Sequence, residues 1–327
     1  MVVRSRIIGT GSYLPSRVLS NKDIEKMVDT SHEWIVGRTG ISERRIASKD
    51  EAASDLAFYA AEKAIKDAGV KPEDIDFIIV ATVTPDMLFP STACLVQQRL
   101  GAKGGFAFDL SAACSGFIYA LSVADQYIRS GLYRTGLVIG SDVFSRMIDW
   151  SDRNTCVLFG DGAGAVILQA DGSGRGVVST HLYSDGTYWD MLYVPGGGSR
   201  IPPGEDMINN KLQYVKMRGN ETFKVAVNTM CDSINEALKS NGLTANDIKL
   251  FIPHQANLRI IQAIGKKLNV PMERFMINLD RYGNTSAASI PIALDEAIRE
   301  GRISEGDNIL LEAFGGGLTW GAALIKW

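Results

Sequence analysis

An internal duplication constrains the fold of this chain more than any other feature. Residues 64–79 recur in outline as 237–252, with Gly69 matching Gly242 and Asp74-Ile75 matching Asp247-Ile248. Further along, Ile128-Arg129-Ser130-Gly131 parallels Ile298-Arg299-Glu300-Gly301, and Phe159-Gly160-Asp161-Gly162 parallels Phe314-Gly315-Gly316-Gly317. The period is far too long for a solenoid, so the chain is predicted to consist of two similar α/β half-domains sharing a core, at residues 1–172 and 173–327. Its 327 residues, 46% of them hydrophobic, are enough for a large core or two fused ones.

Three polar residues fall at comparable strand-to-helix junctions. Cys114 lies within residues 106–117, where an apolar β-type segment stops, small residues follow and a helical pattern starts. Phe117, Leu121, Ala124 and Ile128 share one helical face, and Gly131 is the stop. A thiol at that helix N-terminus meets unpaired N–H groups and the positive end of the dipole, so it is expected to ionise more readily than a free one. The alternative is a small buried hydrophobe.

Of the three histidines, His32 lies in a charged, capped helical stretch and His181 in a polar strand. His254 differs. It follows the apolar strand Leu250-Phe251-Ile252-Pro253 and precedes a helix marked by Ile260, Ile261, Ile264 and Leu268, which suits an active-site group or a satisfied structural histidine. In the third unit, residues 275–279 read as a strand, Arg281-Tyr282-Gly283-Asn284 as a turn and residues 286–289 as a helix opening, so Asn284 is a site residue or a cap. The 170-residue offset between Ile128 and Ile298 carries Cys114 onto Asn284. A pseudo-twofold packing would then bring both helix N-termini to one central place.

Composition removes several classes of function. A net charge of −3 argues against a general nucleic-acid binder. Cys94, Cys114, Cys156 and Cys231 form no C-x-x-C pair and no zinc spacing, so no disulfide framework or metal site is expected. With no charged-then-apolar leader and no run approaching a membrane span, a cytoplasmic setting is expected. Gly9-Thr10-Gly11-Ser12-Tyr13-Leu14 lacks the third glycine of a dinucleotide fingerprint and meets Pro15, and residues 160–164 read as a tight turn before an apolar strand. There is no phosphate-loop or serine-hydrolase elbow motif.

The glycines at 315–317 after Phe314 are either a hairpin turn or a close backbone approach to a ligand, where a glycine N–H beside the thiol would complete an oxyanion hole with the N–H of Cys114. Together with His254 and Asn284 this would equip a site for acyl transfer through a thioester.

Four motifs, in order, then resemble one family closely. Ser111-Ala112-Ala113-Cys114-Ser115-Gly116, His254-Gln255-Ala256-Asn257, Gly283-Asn284-Thr285-Ser286 and Phe314-Gly315-Gly316-Gly317 resemble the motifs of β-ketoacyl-acyl-carrier-protein synthase III, as do Glu33 to Ile41 near the start. The resemblance implies a thiolase-type α/β fold of five layers, two mixed sheets around central helices, and a homodimer. It implies decarboxylative condensation of an acyl-CoA, most often acetyl-CoA, with malonyl-acyl-carrier protein at the start of fatty-acid synthesis, with acyl-CoA as substrate and no cofactor or metal.

By the same resemblance, Cys114 is the nucleophile, His254 and Asn284 donate to the enolate, and the amides of Cys114 and Gly316 form the oxyanion hole. Trp34, Arg38, Arg153 and Asn257 would hold CoA. Phe89, reaching across a dimer interface, would close an acyl pocket with Met217, Phe223 and Phe314. Lys224, Arg259, Lys266 and Lys267 would receive the acidic carrier protein, and residues 196–204 read as a mobile loop flanking the entrance. Other classes are a degradative thiolase, for which no second cysteine has a suitable glycine-rich setting, a condensing enzyme of a specialised pathway, and an acyl-CoA-binding protein without chemistry.

Overall fold

Two mixed sheets with the same strand plan carry the molecule, as a computed structural model describing residues 3–327, with Asn220 described by its backbone alone. The first sheet runs Arg4–Tyr13, Gly162–Asp171, Thr135–Asp142, Phe77–Ala81, Phe106–Leu110. The second runs Gly176–Ser184, Thr319–Lys326, Asn308–Gly315, Leu250–Pro253, with a lone parallel bridge from Phe251 to Phe275 where a fifth strand would lie. In each, the first three strands pair antiparallel in succession and the next joins parallel. All eight residues of Thr135–Asp142 are buried, as suits a central strand covered on both faces.

Helices fill the three remaining layers. Gly116–Arg129 and Ser289–Arg299 lie between the sheets and touch strands of both, burying residues around most of their circumference. Ala53–Ala68 covers the outside of the first sheet and Gly219–Ser240 the outside of the second. The former presents Leu56, Ala57, Ala60, Ala61 and Ala64 inward, small side chains that allow close approach to the sheet, and ends at Gly69 in the left-handed conformation. The latter buries Ala226, Met230, Ile234 and Ala237 on one stripe, and the amphipathic helix Leu258–Leu268 packs beside it. The result is the expected five-layer α/β arrangement.

Two sequence expectations need correction. The segment 275–279 is not a strand: only Phe275 makes a bridge, and Leu279–Tyr282 forms a short helix. The equivalence of Cys114 with Asn284 also fails. The central helices begin at Gly116 and Ser289, 173 residues apart, but are 14 and 11 residues long, so an offset read from their C-terminal ends is three residues short at their starts. The true counterparts are the turns Ala113–Ser115 and Ser286–Ala288, each opening on a residue of positive φ, 45° at Ala113 and 52° at Ser286. Cys114 therefore corresponds to Ala287, and Asn284 lies just before the second turn.

Candidate active site

Cys114 is 4% exposed in the turn that opens the first central helix. Its turn is clamped from the opposite sheet: Ser115 Oγ donates to Thr319 O at 2.8 Å and Thr319 Oγ1 to Ala112 O at 3.0 Å. The expected ease of ionisation is not met. Burial pushes the Cys114 thiol up to about 12, against the Ser286 hydroxyl that donates to Sγ at 3.6 Å, and the Asp142 carboxylate also opposes the thiolate. The α-helix proper starts only at Gly116, so desolvation outweighs what its terminus offers.

His254 ends the strand Leu250–Pro253, its peptide N–H donating to Glu312 O at 2.7 Å. The ring is 2% exposed with Nδ1 2.7 Å from Ser289 Oγ, while Nε2 has no partner among the described residues. Burial pulls its pKa down to about 3, so the imidazole is neutral at physiological pH. Asn284 is 6% exposed, and its Oδ1 accepts from Ser286 N at 2.8 Å. That bond orients the amide and leaves Nδ2 as its unused donor.

One cavity of roughly 760 Å³ is lined by Cys114, His254 and Asn284, together with Trp34, Arg38, Asn257, Met217, Phe223, Phe314, Lys224 and Arg259. It passes from exposed Arg38 and Lys224 through half-buried Trp34 to the buried thiol. Arg153 is absent from the lining but sits over the Trp34 ring at 4.1 Å, with Arg38 at 5.5 Å. Asn257 has a second task, capping the helix Leu258–Leu268 through Oδ1 while Nδ2 donates to Arg38 O at 3.1 Å.

Other expected residues do not line this cavity. Gly316 does not line it: a Cβ there would meet Leu192 O at 2.7 Å, and Gly315 is the glycine packed onto the nucleophile turn, where a Cβ would come within 2.7 Å of Cys114 N. Lys266 and Lys267 are exposed near the far end of their helix, Lys267 donating to Asn228 Oδ1 at 2.9 Å. Residues 196–204 also lie off the lining, Gly196 N bonding Leu212 O and Gly197 N bonding Ile201 O. Phe89 is 83% exposed beside Leu88, on a loop outside its own chain's cavity.

Sequence reasoning gave no role to Ser286 or Ser289. They touch the thiol and the imidazole from a helix opening whose small residues looked interchangeable, and only the fold aims them at Cys114 and His254. Among the described residues no group of three His, Cys, Asp or Glu side chains could hold a metal ion, and no helix is long and apolar enough to cross a membrane.

Comparison with known proteins agrees along the whole chain. Residues 108–186 match 3-oxoacyl-[acyl-carrier-protein (ACP)] synthase III, and residues 238–327 match the C-terminal part of that family. The chain is 55% identical over 325 residues to the β-ketoacyl-[acyl-carrier-protein] synthase III of Caldanaerobacter subterraneus subsp. tengcongensis, covering 99% of this chain and 98% of the relative. It is 56% identical over 324 residues to that of Alkalilimnicola ehrlichii, covering 99% of each. The crystal structure of 3-oxoacyl-[acyl-carrier-protein] synthase III from Aquifex aeolicus superimposes with a TM-score of 0.93 at 51% identity, over 99% of this chain and 100% of that one.

Proposed function

The chain belongs to the 3-oxoacyl-[acyl-carrier-protein] synthase III family, and from that premise we propose how its own residues perform the initiating condensation of an acyl-CoA with malonyl-carrier protein. Residues 1–172 supply the nucleophile and residues 173–327 the hydrogen-bond donors. Cys114 attacks the thioester carbonyl of the acyl-CoA primer, CoA leaves as the free thiol carrying the proton, and the acyl group remains on Sγ. The tetrahedral oxyanion is held by the N–H of Cys114 and by that of Gly316, the residue after the Gly315 that packs on the nucleophile turn.

Malonyl-carrier protein then loses carbon dioxide, and the electron pair of the broken C–C bond moves into an enolate whose oxygen accepts from His254 Nε2–H and Asn284 Nδ2–H. Both donors are uncharged, and for His254 this requires Nδ1 to accept. The Ser289 hydroxyl, 2.7 Å from Nδ1, is placed to donate to it in that tautomer. The carbanion attacks the acyl-Cys114 carbonyl, the C–S bond breaks, a 3-oxoacyl-carrier protein leaves, and the released Cys114 thiolate takes a proton from water to restore the thiol.

Trp34, Arg38, Arg153 and Asn257 hold CoA, and Met217, Phe223 and Phe314 line the acyl end, closed by Phe89 of a second subunit in a homodimer. Lys224 and Arg259 at the cavity mouth, with Lys266 and Lys267 beyond, receive the carrier protein in the cytoplasm. No cofactor is invoked, since acyl-CoA is consumed as substrate.

The observation that carries these roles is the meeting of Cys114, His254 and Asn284 on one cavity with Trp34 and Arg38 at its outer end. Incubation with labelled acetyl-CoA followed by malonyl-carrier protein tests them. A covalent acyl adduct consumed with release of carbon dioxide is expected; binding without an adduct would mark an acyl-CoA-binding protein.

A further inference from the structure

Among the described residues Arg44 is the largest side chain wholly removed from solvent. Its guanidinium makes no ion pair among the described residues, and its Nε has no partner. Burying an uncompensated cation is expensive, so the contacts it makes must offset that cost. Nη1 donates to Leu19 O at 3.2 Å and to Asn21 Oδ1 at 2.8 Å, and Nη2 donates to Val157 O at 2.8 Å. The planar fork therefore ties the Leu19–Asn21 region to Val157, a geometry that suits arginine.

Val157 opens the segment to which Asn284 is attached. Asn284 N donates to Leu158 O at 2.9 Å and Gly160 N donates to Asn284 O at 3.0 Å, a parallel bridge centred on Phe159. The arginine stem also lies beneath both glycines of this junction. A Cβ on Gly283, which has φ +67°, would come within 2.8 Å of Leu158 O and 3.1 Å of Arg44 Cβ, and one on Gly160 within 2.3 Å of Tyr282 O and 3.0 Å of Arg44 Cβ. Because the Asn284 amide is already oriented by Ser286 N, the aim of Nδ2 depends on where this backbone sits.

We propose that Arg44 is a positioning residue for Asn284, fixing the segment 157–160 against which Asn284 is registered and so the direction of its amide donor. The Cys114 turn is held separately, through Thr319, so Arg44 is predicted to serve decarboxylation and not acylation. The inference rests on the role proposed above for Asn284.

The test compares the native protein, Arg44→Gln, Asn284→Ala and the double variant in two assays: acyl adduct formation from acetyl-CoA by intact mass, and carbon dioxide release from malonyl-carrier protein. Arg44→Gln should acylate at the native rate but decarboxylate roughly 10- to 100-fold more slowly, as small misplacements of a catalytic group do. In the Asn284→Ala background it should cause no further loss, because the two act as one unit. Equal slowing of both assays, or the same loss with and without Asn284, would overturn the proposal. Native decarboxylation by Asn284→Ala would instead remove the role of Asn284 itself, whereas an impaired Asn284→Ala beside an unimpaired Arg44→Gln would remove only the inference. Should Arg44→Gln not fold, Arg44→Lys, which keeps the buried cation but loses the fork, carries the same comparison with the same expected signs.

Discussion

Ser289 Oγ lies 2.7 Å from His254 Nδ1 and is the one side chain hydrogen-bonded to the imidazole among the described residues. Ser289→Ala removes that hydrogen bond, on which the proposed Nε2–H donor relies, while leaving the ring in place. Decarboxylation of malonyl-carrier protein should fall several-fold, in line with about 1 kcal/mol for one hydrogen bond. Acylation by acetyl-CoA should not change, because the serine does not touch Cys114. A Ser289→Ala protein that is slower in acylation alone would contradict the assignment, and the two single-turnover rates check it.

Stability at acid pH follows from the same histidine. Burial holds His254 at about 3, whereas an unfolded histidine titrates near 6.5. Between those values the unfolded chain binds a proton that the folded one does not. His254 therefore contributes no penalty above pH 6.5 and a growing one as pH falls toward 3. The melting temperature of the native protein should drop more steeply from pH 7 to pH 5 than that of His254→Gln, and parallel declines would show that the ring is not held neutral. By the same burial, decarboxylation in the folded protein should show no inflection near pH 6.5 that disappears in His254→Gln.

Much of this was legible in the chain. The duplication announced two equivalent sheets, and the candidates at 114, 254 and 284 meet on one cavity because Cys114 and His254 follow strand ends while Asn284 precedes the opening of the second central helix, and such ends converge between layers. The register of the halves was misread, since a shorter second central helix hides three residues between the matching glycines and the turns. The protonation of Cys114 was also misread: a helix N-terminus is visible in sequence, but the desolvation that opposes it depends on what the opposite sheet places over the thiol. The contacts of Ser286, Ser289 and Arg44 were not legible because their partners are 172, 35 and 113 residues away, at Cys114, His254 and Val157.

Primer length is the role furthest from the catalytic residues. Phe89 is 83% exposed in the single chain, next to exposed Leu88 and Met87, where a large apolar side chain has little reason to stand unless a second subunit covers it. If it plugs the partner's acyl pocket, extra methylenes meet a filled space at a typical cost of ~1–3 kcal/mol, and short primers win. Phe89→Thr should raise acylation by dodecanoyl-CoA relative to acetyl-CoA in a protein that remains dimeric. An unchanged ratio would place Phe89 in the interface only.

The most direct test of the central claim is intact-mass measurement of the protein after acyl-CoA and again after malonyl-carrier protein, with Cys114→Ala, His254→Ala and Asn284→Ala alongside. The native chain should gain one acyl group and lose it when the second substrate arrives. Cys114→Ala should gain nothing. His254→Ala and Asn284→Ala should gain the group but release it about 10²- to 10³-fold more slowly, the usual effect of removing one oxyanion donor. A covalent adduct that persists in Cys114→Ala, or a native adduct that malonyl-carrier protein leaves untouched, would contradict the account.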